Sequence, residues 1–442
     1  ARGVVTSDRP KGHGRVSNST PNEILTNMVS TLVVVGLLVA AFVGYNIGGS
    51  STGVAFGPAV GSRIVRKTTA AALFTAFAFV GAWTVGRNVI DTMSDGIVPA
   101  AQFSPVASVG VLFFAGLALL ISNIYGVPAS TSMTAVGAIV GLGLATGTLN
   151  QALMFTIVSA WIVAPLTGFA VGGVIGRYFY PHLDARLSFG RLSDPLLQLD
   201  RSGTVPRLGL NENATRRDLV GAALVLLIAC YMGFSAGASN AANAVAPLVG
   251  NGSITIEQGI LLAIGAIGLG GFTIARRTLA TVGDGITDLP ILAALIVSLV
   301  GATIITVLSQ LGIPASLAVS TTCCIIGLGW GRASRTATLA EIATPSPPGE
   351  SETDLATGSL AASPAAEEAA SPTVGDLATG EAEAPTESPE AVEVPGIGKE
   401  EPEEVTAESL FDPAATARIV TLWILSPVLS VVGSYLLFAL IL

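Results

Sequence analysis

Hydroxyl and amide side chains recur beside glycine or proline in four short motifs, and these residue types are suited to binding a polar ligand. Two motifs are rich in glycine and serine, 48–53 and 237–243, and two contain a proline, 128–132 and 314–316. A helix that restarts at such a break would present free N–H groups and a positive dipole end, which favours an anion. The residues predicted to bind the substrate are Ser50, Ser51, Thr52, Ser130, Thr131, Ser132, Ser239, Asn240, Asn243 and Ser316.

Each motif also has a plainer interpretation. Small residues bring helices close together, and their hydroxyls can bond back to their own backbone. A proline followed by serine can be an ordinary kink with a capping residue. That interpretation is stronger at 314–316, where Leu317, Ala318 and Val319 replace the hydroxyl-rich run. The occurrence of each motif at two matched positions favours the binding interpretation for the glycine and serine pair.

The motifs belong to two copies of one hydrophobic unit. The first block of the unit returns at a constant offset, so that Gly48 matches Gly237 and Ser50 matches Ser239. The block that contains Pro128 returns at a slightly smaller offset, at Pro314. Two hydrophobic copies interrupted by Gly, Ser and Pro are typical of a secondary transporter built from repeats.

The composition is that of a polytopic α-helical membrane protein. Hydrophobic residues make up 51% of the chain and charged residues 12%, with a mean hydropathy of +0.69. We expect an all-α fold of about 10–12 transmembrane segments in two inverted repeats. The pieces 47–62 and 239–250 are predicted to be broken or re-entrant half-helices that line a buried or wet cavity. The apolar runs lie near 30–46, 69–88, 106–125, 131–148, 152–176, 219–236, 257–275, 289–310, 315–331 and 417–441.

Charge and composition divide the chain further. Segment 336–415 holds 18 Asp and Glu against Lys399, a charge of −17, so the remainder carries +8 although the whole chain is −9. Such a segment buries too little apolar surface to fold by itself, so we predict it to be a disordered insert. The predicted units are a polar tail 1–27, repeat 1 at 28–176, a cytoplasmic linker 177–217, repeat 2 at 218–332, the acidic insert 333–416 and a last helix 417–442.

The basic residues predict how the chain is oriented in the cell membrane. Arg63, Arg66 and Lys67, and the seven arginines of 177–217, are placed in the cytoplasm by the positive-inside rule. Five crossings per repeat then invert the second copy. This parity places the N-terminal tail outside, although that tail is mildly basic.

Several function classes are disfavoured. The two histidines, His13 and His182, lie in polar segments, and Cys230, Cys323 and Cys324 lie in apolar runs. No His/Cys cluster, P-loop or nucleophile–base pair occurs in a membrane run, so we expect no enzyme, no ATP-driven pump and no structural metal. The expected surroundings are the lipid bilayer, and nothing indicates a nucleic-acid partner.

The four motifs, in this order, resemble the inorganic phosphate transporter (PiT) family, over about 30–176 and 219–331 plus the last span. Each repeat of that family carries a Gly-Ala-Asn-Asp-Val-Ala-Asn type motif and a Gly-Leu-Pro-Val-Ser-Thr-Thr-His type motif. The resemblance implies symport of a tetrahedral oxyanion, bound between the repeats, with Na⁺ or H⁺ as coupling cation and no other cofactor. A homodimer is a candidate assembly. The candidates for binding the coupling cation are Asn46, Asn240 and Asn243.

The chain departs from the family motifs where they carry aspartate. Ser51 and Asn240 stand at those positions, and 46–50 and 130–132 resemble the sulfate-permease branch of the family more closely. Sulfate has no proton to donate and is repelled by a carboxylate, so a neutral site suits it at least as well as phosphate. The prediction is a phosphate symporter, with a sulfate permease, coupled to protons, as the alternative. An anion channel is the alternative from another class.

Overall fold

The structure is a computed structural model that describes residues 21–62, 64–124, 130–186, 197–200, 207–210, 216–275, 291–335 and 413–441. Side chains of the first helix are described from residue 31 onward. The helices before the linker are α1 (Pro21–Gly61), α2 (Lys67–Thr84), α3 (Gly86–Asp91), α4 (Pro105–Ile124), α5 (Thr131–Thr146), α6 (Gln151–Val174) and α7 (Tyr180–Arg186). Short π-helical turns follow α3 (Thr92–Gly96) and α6 (Ile175–Phe179), and a 3₁₀ turn covers Ala100–Gln102.

The linker holds a small hairpin, and a second set of helices follows it. Strands β1 (Leu197–Asp200) and β2 (Arg207–Leu210) pair antiparallel, with Leu197 opposite Leu210. The predicted all-α fold therefore holds for the membrane part, whereas the linker contains one two-stranded ribbon. The later helices are α8 (Arg216–Gly250), α9 (Ile256–Thr273), α10 (Ile291–Gln310), α11 (Leu317–Ala333) and α12 (Pro413–Ile441).

The helix boundaries repeat at the same two offsets as the sequence. The offset that relates Gly48 to Gly237 carries α2 onto α9 at both ends, and it carries the last residue of α1 onto the last residue of α8. The offset that relates Pro128 to Pro314 carries α4 onto α10 at both ends and the first residue of α5 onto the first residue of α11. The two sequence copies thus form matching sets of helices.

Each copy packs mainly against the other, through glycines at matched positions. A Cβ at Gly48 in α1 would overlap the carbonyl oxygen of Ile267 in α9, and a Cβ at Gly237 in α8 would overlap that of Ala78 in α2. Gly237 is the counterpart of Gly48 in the second copy, and Ala78 is the counterpart of Ile267 in the first. The absence of a side chain lets the backbones touch, as is usual where membrane helices pack closely.

The two equivalent helices α1 and α8 run in opposite directions. Gly36 of α1 lies against Leu248 of α8, whereas Ser51, further along α1, lies against Asn240, nearer the start of α8. Since α1 and α8 are the first helices of the two copies, the copies enter the bundle from opposite ends.

The described part of the chain contains seven helices that are long and apolar enough to span a membrane, or eight if α2 and the bent continuation Gly86–Gly96 form one span. The bend there is 64°. Helices α5 and α11 have only 16 and 17 residues, so they are shorter than the usual span of about 20 residues. They account for part of the difference from the number of segments expected.

The prediction of half-helices at 47–62 and 239–250 is wrong. Helix α1 continues without a break to Gly61, and α8 continues to Gly250. The glycines are used for helix contacts, and Ser50 and Thr52 donate their hydroxyls to carbonyls of their own helix, so the backbone stays helical. The irregular segments lie instead at the α2–α3 bend and before α11, where Ser316 is the N-cap residue.

Local sequence explains the ends of several helices. Asn150 caps α6 by accepting from the N–H of Leu153, and Thr255 and Gln258 form a reciprocal capping box at the start of α9. Helix α5 ends at Thr146 and is followed by Gly147, whose φ of 67° suits glycine. The helical turns after α6 continue beyond residue 176, where the linker was expected to begin, and α12 begins before residue 417. Helix α1 likewise begins at Pro21, before residue 28, where repeat 1 was expected to begin. Residues 1–20 and 336–412 lie outside the described residues.

Candidate functional site

The polar side chains of three motifs meet in the middle of the bundle. Ser51 comes from α1, Thr131 and Ser132 come from the first turn of α5, and Ser239, Asn240 and Asn243 come from successive turns of α8. The fourth motif contributes a backbone group, the carbonyl oxygen of Ala315 just before α11. We call the six side chains together with this carbonyl the polar network.

One branch of the polar network is a chain with a fixed direction. Asn243 Nδ2 lies 3.2 Å from Ser132 Oγ, Ser132 Oγ lies 3.3 Å from Ser239 Oγ, and Ser239 Oγ donates to the carbonyl of Ala315 at 2.8 Å. A carbonyl oxygen can only accept, so the proton of Ser239 is committed to it. Ser132 must then donate to Ser239 and accept from Asn243. The chain therefore runs from α8 to α5, back to α8 and on to the start of α11.

Asn240 is the junction of the second branch. Its Oδ1 accepts from Thr131 Oγ1 at 2.7 Å and from Asn243 Nδ2 at 3.2 Å, and its Nδ2 donates to Ser51 Oγ at 3.4 Å. The Nδ2 of Asn243 can only donate, so it sets the orientation of the Asn240 amide, because a flipped amide would face it with an N–H group. Asn240 thus joins α8 to both α1 and α5.

The site is shielded from solvent, and two of its polar atoms lack a partner within the described structure. Ser132, Ser239 and Asn243 are almost completely buried, whereas Ser51 and Thr131 are half-buried. The Oγ of Ser130, the N-cap residue of α5, and the Oδ1 of Asn243 are buried without a hydrogen bond. A buried polar group without a partner costs about 1–3 kcal/mol, so these two atoms suit a bound polar ligand.

Comparison with known proteins decides the family. The profile of the "Phosphate transporter family" matches residues 47–345, which include all four motifs. The chain belongs to the phosphate transporter family. It is a multi-pass integral protein of the cell membrane, and the seven or eight apolar helices of its described part agree with this.

Relatives within this family differ in the oxyanion that they are named for. The sulfate permease CysP of Bacillus subtilis is 31% identical over 299 residues, which are 67% of this chain and 77% of the permease. Inorganic phosphate transporter 2-1, chloroplastic, of Arabidopsis thaliana is 24% identical over 386 residues, 67% of this chain and 65% of the transporter. A solved structure, "The sodium-dependent phosphate transporter", superposes with a TM-score of 0.61 at 18% identity, covering 93% of this chain and 99% of the other. That similarity shows that the fold is shared.

Not every predicted family-motif residue joins the polar network. Ser50 and Thr52 donate to carbonyls within α1, at Ile47 and Gly48, so the plainer interpretation holds for them. Ser316 caps α11 by accepting from the N–H of Val319. Asn46, a candidate for the coupling cation, is buried and donates to the carbonyl of Phe42 in its own helix.

Two contributors to the site were not predicted. The carbonyl of Ala315 ends the hydroxyl chain, and Trp161 Nε1 of α6 donates to the neighbouring carbonyl of Pro314 at 2.8 Å. The two hydrogen bonds fix the segment just before α11, one from Trp161 in the first repeat and one from Ser239 in the second. A backbone acceptor has no residue-type signature, and Trp161 lies in an apolar run where an indole is expected to be ordinary core. Sequence reasoning had no signal for either.

The polar network is neutral throughout. It contains hydroxyls, amides and one carbonyl, and both positions at which the family motif carries aspartate, Ser51 and Asn240, are in direct contact. The α5 N-terminus adds backbone N–H groups, because Ser130 does not cap it with its side chain. The arrangement can bind an anion by hydrogen bonds and by the positive end of the helix dipole, without a basic side chain.

Proposed function

We propose that this protein is a secondary transporter that moves an inorganic tetrahedral oxyanion across the cell membrane, with the anion bound at the α5 N-terminus between two inverted repeats. The observation that carries the proposal is the polar network itself, which joins side chains of α1, α5 and α8 around an uncapped helix N-terminus. The opposite directions of α1 and α8 support the inverted arrangement. The exchange of glycine contacts between the copies shows that equivalent helices pack in equivalent pairs.

The hydrogen bonds divide the site into donors and supports. Thr131, Ser132 and Ser239 already donate their hydroxyl protons within the protein, so they hold the site in shape. The free donors are the hydroxyls of Ser130 and Ser51, the second N–H of Asn240 and the first backbone N–H groups of α5. These groups come from three helices and can surround one oxyanion.

Among oxyanions we favour sulfate, with phosphate as the second candidate. The family's two aspartate positions are neutral here, so the polar network has no carboxylate to accept a proton from phosphate or to repel sulfate. The relative that is 31% identical is named as a sulfate permease. Phosphate remains the second candidate because the unpartnered Oδ1 of Asn243 could accept a hydrogen bond from the P–OH group of hydrogen phosphate.

A coupling cation would find oxygen ligands in the same place. The amide oxygen of Asn243 is neutral and unpartnered, whereas that of Asn240 already accepts two hydrogen bonds, and the polar network contains no side chain that titrates near neutral pH. Such oxygens suit Na⁺ directly, whereas a proton would have to travel on the anion or on a group elsewhere. We therefore infer symport with a cation, with Na⁺ favoured at this site and H⁺ as the alternative.

Uptake into proteoliposomes tests the proposal. The protein should take up labelled sulfate with saturation, driven by an inward Na⁺ or H⁺ gradient, and unlabelled sulfate should compete better than phosphate. Imposing each gradient separately identifies the coupling ion. Uptake that does not saturate and ignores both gradients would instead make the protein an anion channel. Better competition by phosphate would leave the transporter in place and reverse the choice of cargo.

A further inference from the structure

Three arginines, Arg177, Arg332 and Arg335, lie where the C-terminal ends of α6 and α11 meet. None of them belongs to the polar network. Arg177 donates to the carbonyl of Ser334, and Arg335 donates to the carbonyl of Arg177, so the two guanidinium groups lock the helix ends together. Arg332 lies over the ring of Tyr180, 4.3 Å from its centroid. Within the described residues, neither Arg177 nor Arg332 forms an ion pair with a carboxylate. The nearby acidic residue in sequence is Asp184 of α7.

The equivalent helix junction in the other copy shows whether this packing needs arginine. Helices α6 and α12 correspond when their internal prolines, Pro165 and Pro427, are aligned, and this alignment places Ala439 opposite Arg177. The offset that relates α5 to α11 places Thr146 opposite Arg332. The equivalent junction of α5 and α12 uses neutral groups. There Thr146 bonds to the carbonyl of Leu142 and to the hydroxyl of Thr148. The packing of these helix pairs therefore does not require arginine.

The depth of the arginines indicates what lies beside them. Helix α6 and its continuation to residue 185 are buried over only 17% of their most apolar window, so most of that window lies on the outside of the bundle, where a membrane would place lipid. Tyr178, Phe179 and Trp330 are each about half exposed around the cluster, at 48%, 56% and 46%. Exposed aromatic side chains at the end of a span mark the membrane interface, where lipid headgroups lie. The positive-inside rule places this end in the cytoplasm.

We propose that Arg177 and Arg332 form a binding site for the phosphate headgroup of an anionic phospholipid of the cytoplasmic leaflet, with the buried Arg335 holding the helix ends together beneath them. Guanidinium groups bind phosphate oxygens through charge-assisted hydrogen bonds, and basic clusters between membrane helices are suited to such headgroups. The exposed faces of Tyr178 and Phe179 would contact the glycerol and the first acyl carbons. This site is independent of the transported oxyanion.

Lipid retention by the purified protein tests this site. Native mass spectrometry with added phosphatidylglycerol or phosphatidylcholine should show preferential retention of phosphatidylglycerol by the wild-type protein. Arg332→Gln, which loses only a stacking contact, should weaken that retention about tenfold, and Arg177→Gln/Arg332→Gln should abolish it. The matched control is Arg87→Gln, an arginine paired with Glu257 at the opposite end, which should retain the lipid as the wild type does.

Several results would overturn the proposal. Equal retention of the two lipids, or unchanged retention in Arg332→Gln, would show that the arginines select no headgroup. Displacement of phosphatidylglycerol by millimolar inorganic phosphate would assign them to a free anion. If the wild type retains no phosphatidylglycerol but a deletion of 345–405 does, the arginines bind the acidic segment of the chain instead. The melting temperature of each variant separates lost binding from lost folding.

Discussion

At the scale of single residues, the direction of each hydrogen bond decides which side chains remain available to a ligand. The carbonyl of Ala315 takes the proton of Ser239 and thereby sets the direction of the chain through Ser132 to Asn243. Residue type alone would have counted every hydroxyl of the motifs as an anion donor. The geometry leaves Ser130, Ser51 and Asn240 as donors and gives the others a supporting role.

Asn240→Ala should lower the efficiency of sulfate uptake about 10- to 150-fold, because a lost hydrogen bond to a charged ligand costs roughly 1.5–3 kcal/mol. It should also leave Thr131 without its acceptor. Ser50→Ala is the control, since that hydroxyl bonds only within α1 among the described contacts, and its uptake should match the wild type. Initial uptake rates over a range of sulfate concentrations provide the comparison. Normal uptake by Asn240→Ala would remove this residue from the site.

Ser51→Asp combined with Asn240→Asp should shift the preference from sulfate toward phosphate. The two side chains are in contact, at 3.4 Å, so two carboxylates there would repel each other and hold a proton or a cation between them. Sulfate uptake should fall by more than about tenfold while phosphate competes more strongly. Ser51→Asn keeps the site neutral and should keep the preference for sulfate. If the double variant prefers sulfate as the wild type does, charge at these positions does not select the cargo.

At the scale of elements, the bundle is built from helix pairs that each take one member from either copy. Helix α1 packs on α9, α2 on α8, α5 on α12 and α6 on α11, and glycines bring the backbones into contact. The glycine and serine motifs therefore serve two purposes, since one face of the helix packs and another carries polar side chains. A helix can do both without breaking, because residues three or four apart share a face.

Gly48→Ala should destabilise the protein, because its Cβ would overlap the carbonyl of Ile267 and push α1 away from α9. We expect a cost of at least about 1–3 kcal/mol from overpacking. Gly237→Ala, at the equivalent position, should behave in the same way. Gly265→Ala is the matched control, since no other side chain or backbone lies within 4 Å of the added Cβ, and helix propensity should make it neutral or slightly stabilising. Melting temperatures in detergent would decide, and equal values for all three variants would contradict the packing.

At the scale of the whole molecule, the copies are related by an exchange of partners. Helix boundaries recur at constant offsets, and the first helices of the two copies run in opposite directions. The polar network breaks the symmetry, because α8 supplies three of its side chains and α1 supplies one.

The inverted arrangement predicts that equivalent residues are reached from opposite sides of the membrane. Thr68 and Glu257 are exposed and occupy the same position in the two copies, as the second residues of α2 and α9. In a cysteine-free background, Thr68→Cys should react with an impermeant thiol reagent only from the cytoplasmic side, and Glu257→Cys only from outside. The loss of the Arg87–Glu257 ion pair should matter little, since ion pairs between exposed side chains contribute little to stability. Labelling of both cysteines from the same side would reject the inversion.

Deletion of 345–405 should leave folding and sulfate uptake largely unchanged. This segment has few large apolar side chains and many acidic residues, so its sequence predicts no packed core. Expression, melting temperature and uptake of the deletion variant are the measurements. A collapse of expression or a loss of uptake would show that the segment is needed for the fold or for transport.

Much of the fold was predictable from sequence because the periodic features are local or repeated. The apolar runs predicted the helices, and the two offsets predicted which helices correspond. Ser316 and Thr131 were correctly expected at a new helix start, since a proline precedes them. The error at 47–62 and 239–250 arose because Gly and Ser weaken an isolated helix, whereas close packing in the membrane supplies what the local sequence lacks.

The apolar runs and their repetition establish a membrane bundle of two copies with neutral polar motifs at four matched positions. The tertiary structure was needed to show which polar groups meet, because partners such as Ser132 and Asn243 lie far apart in the chain and belong to different helices. It also decided that a backbone carbonyl, at Ala315, sets the direction of the hydrogen bonds. Direction and partnership depend on three-dimensional contact, which hydrophobic patterning restricts to a bundle but does not specify.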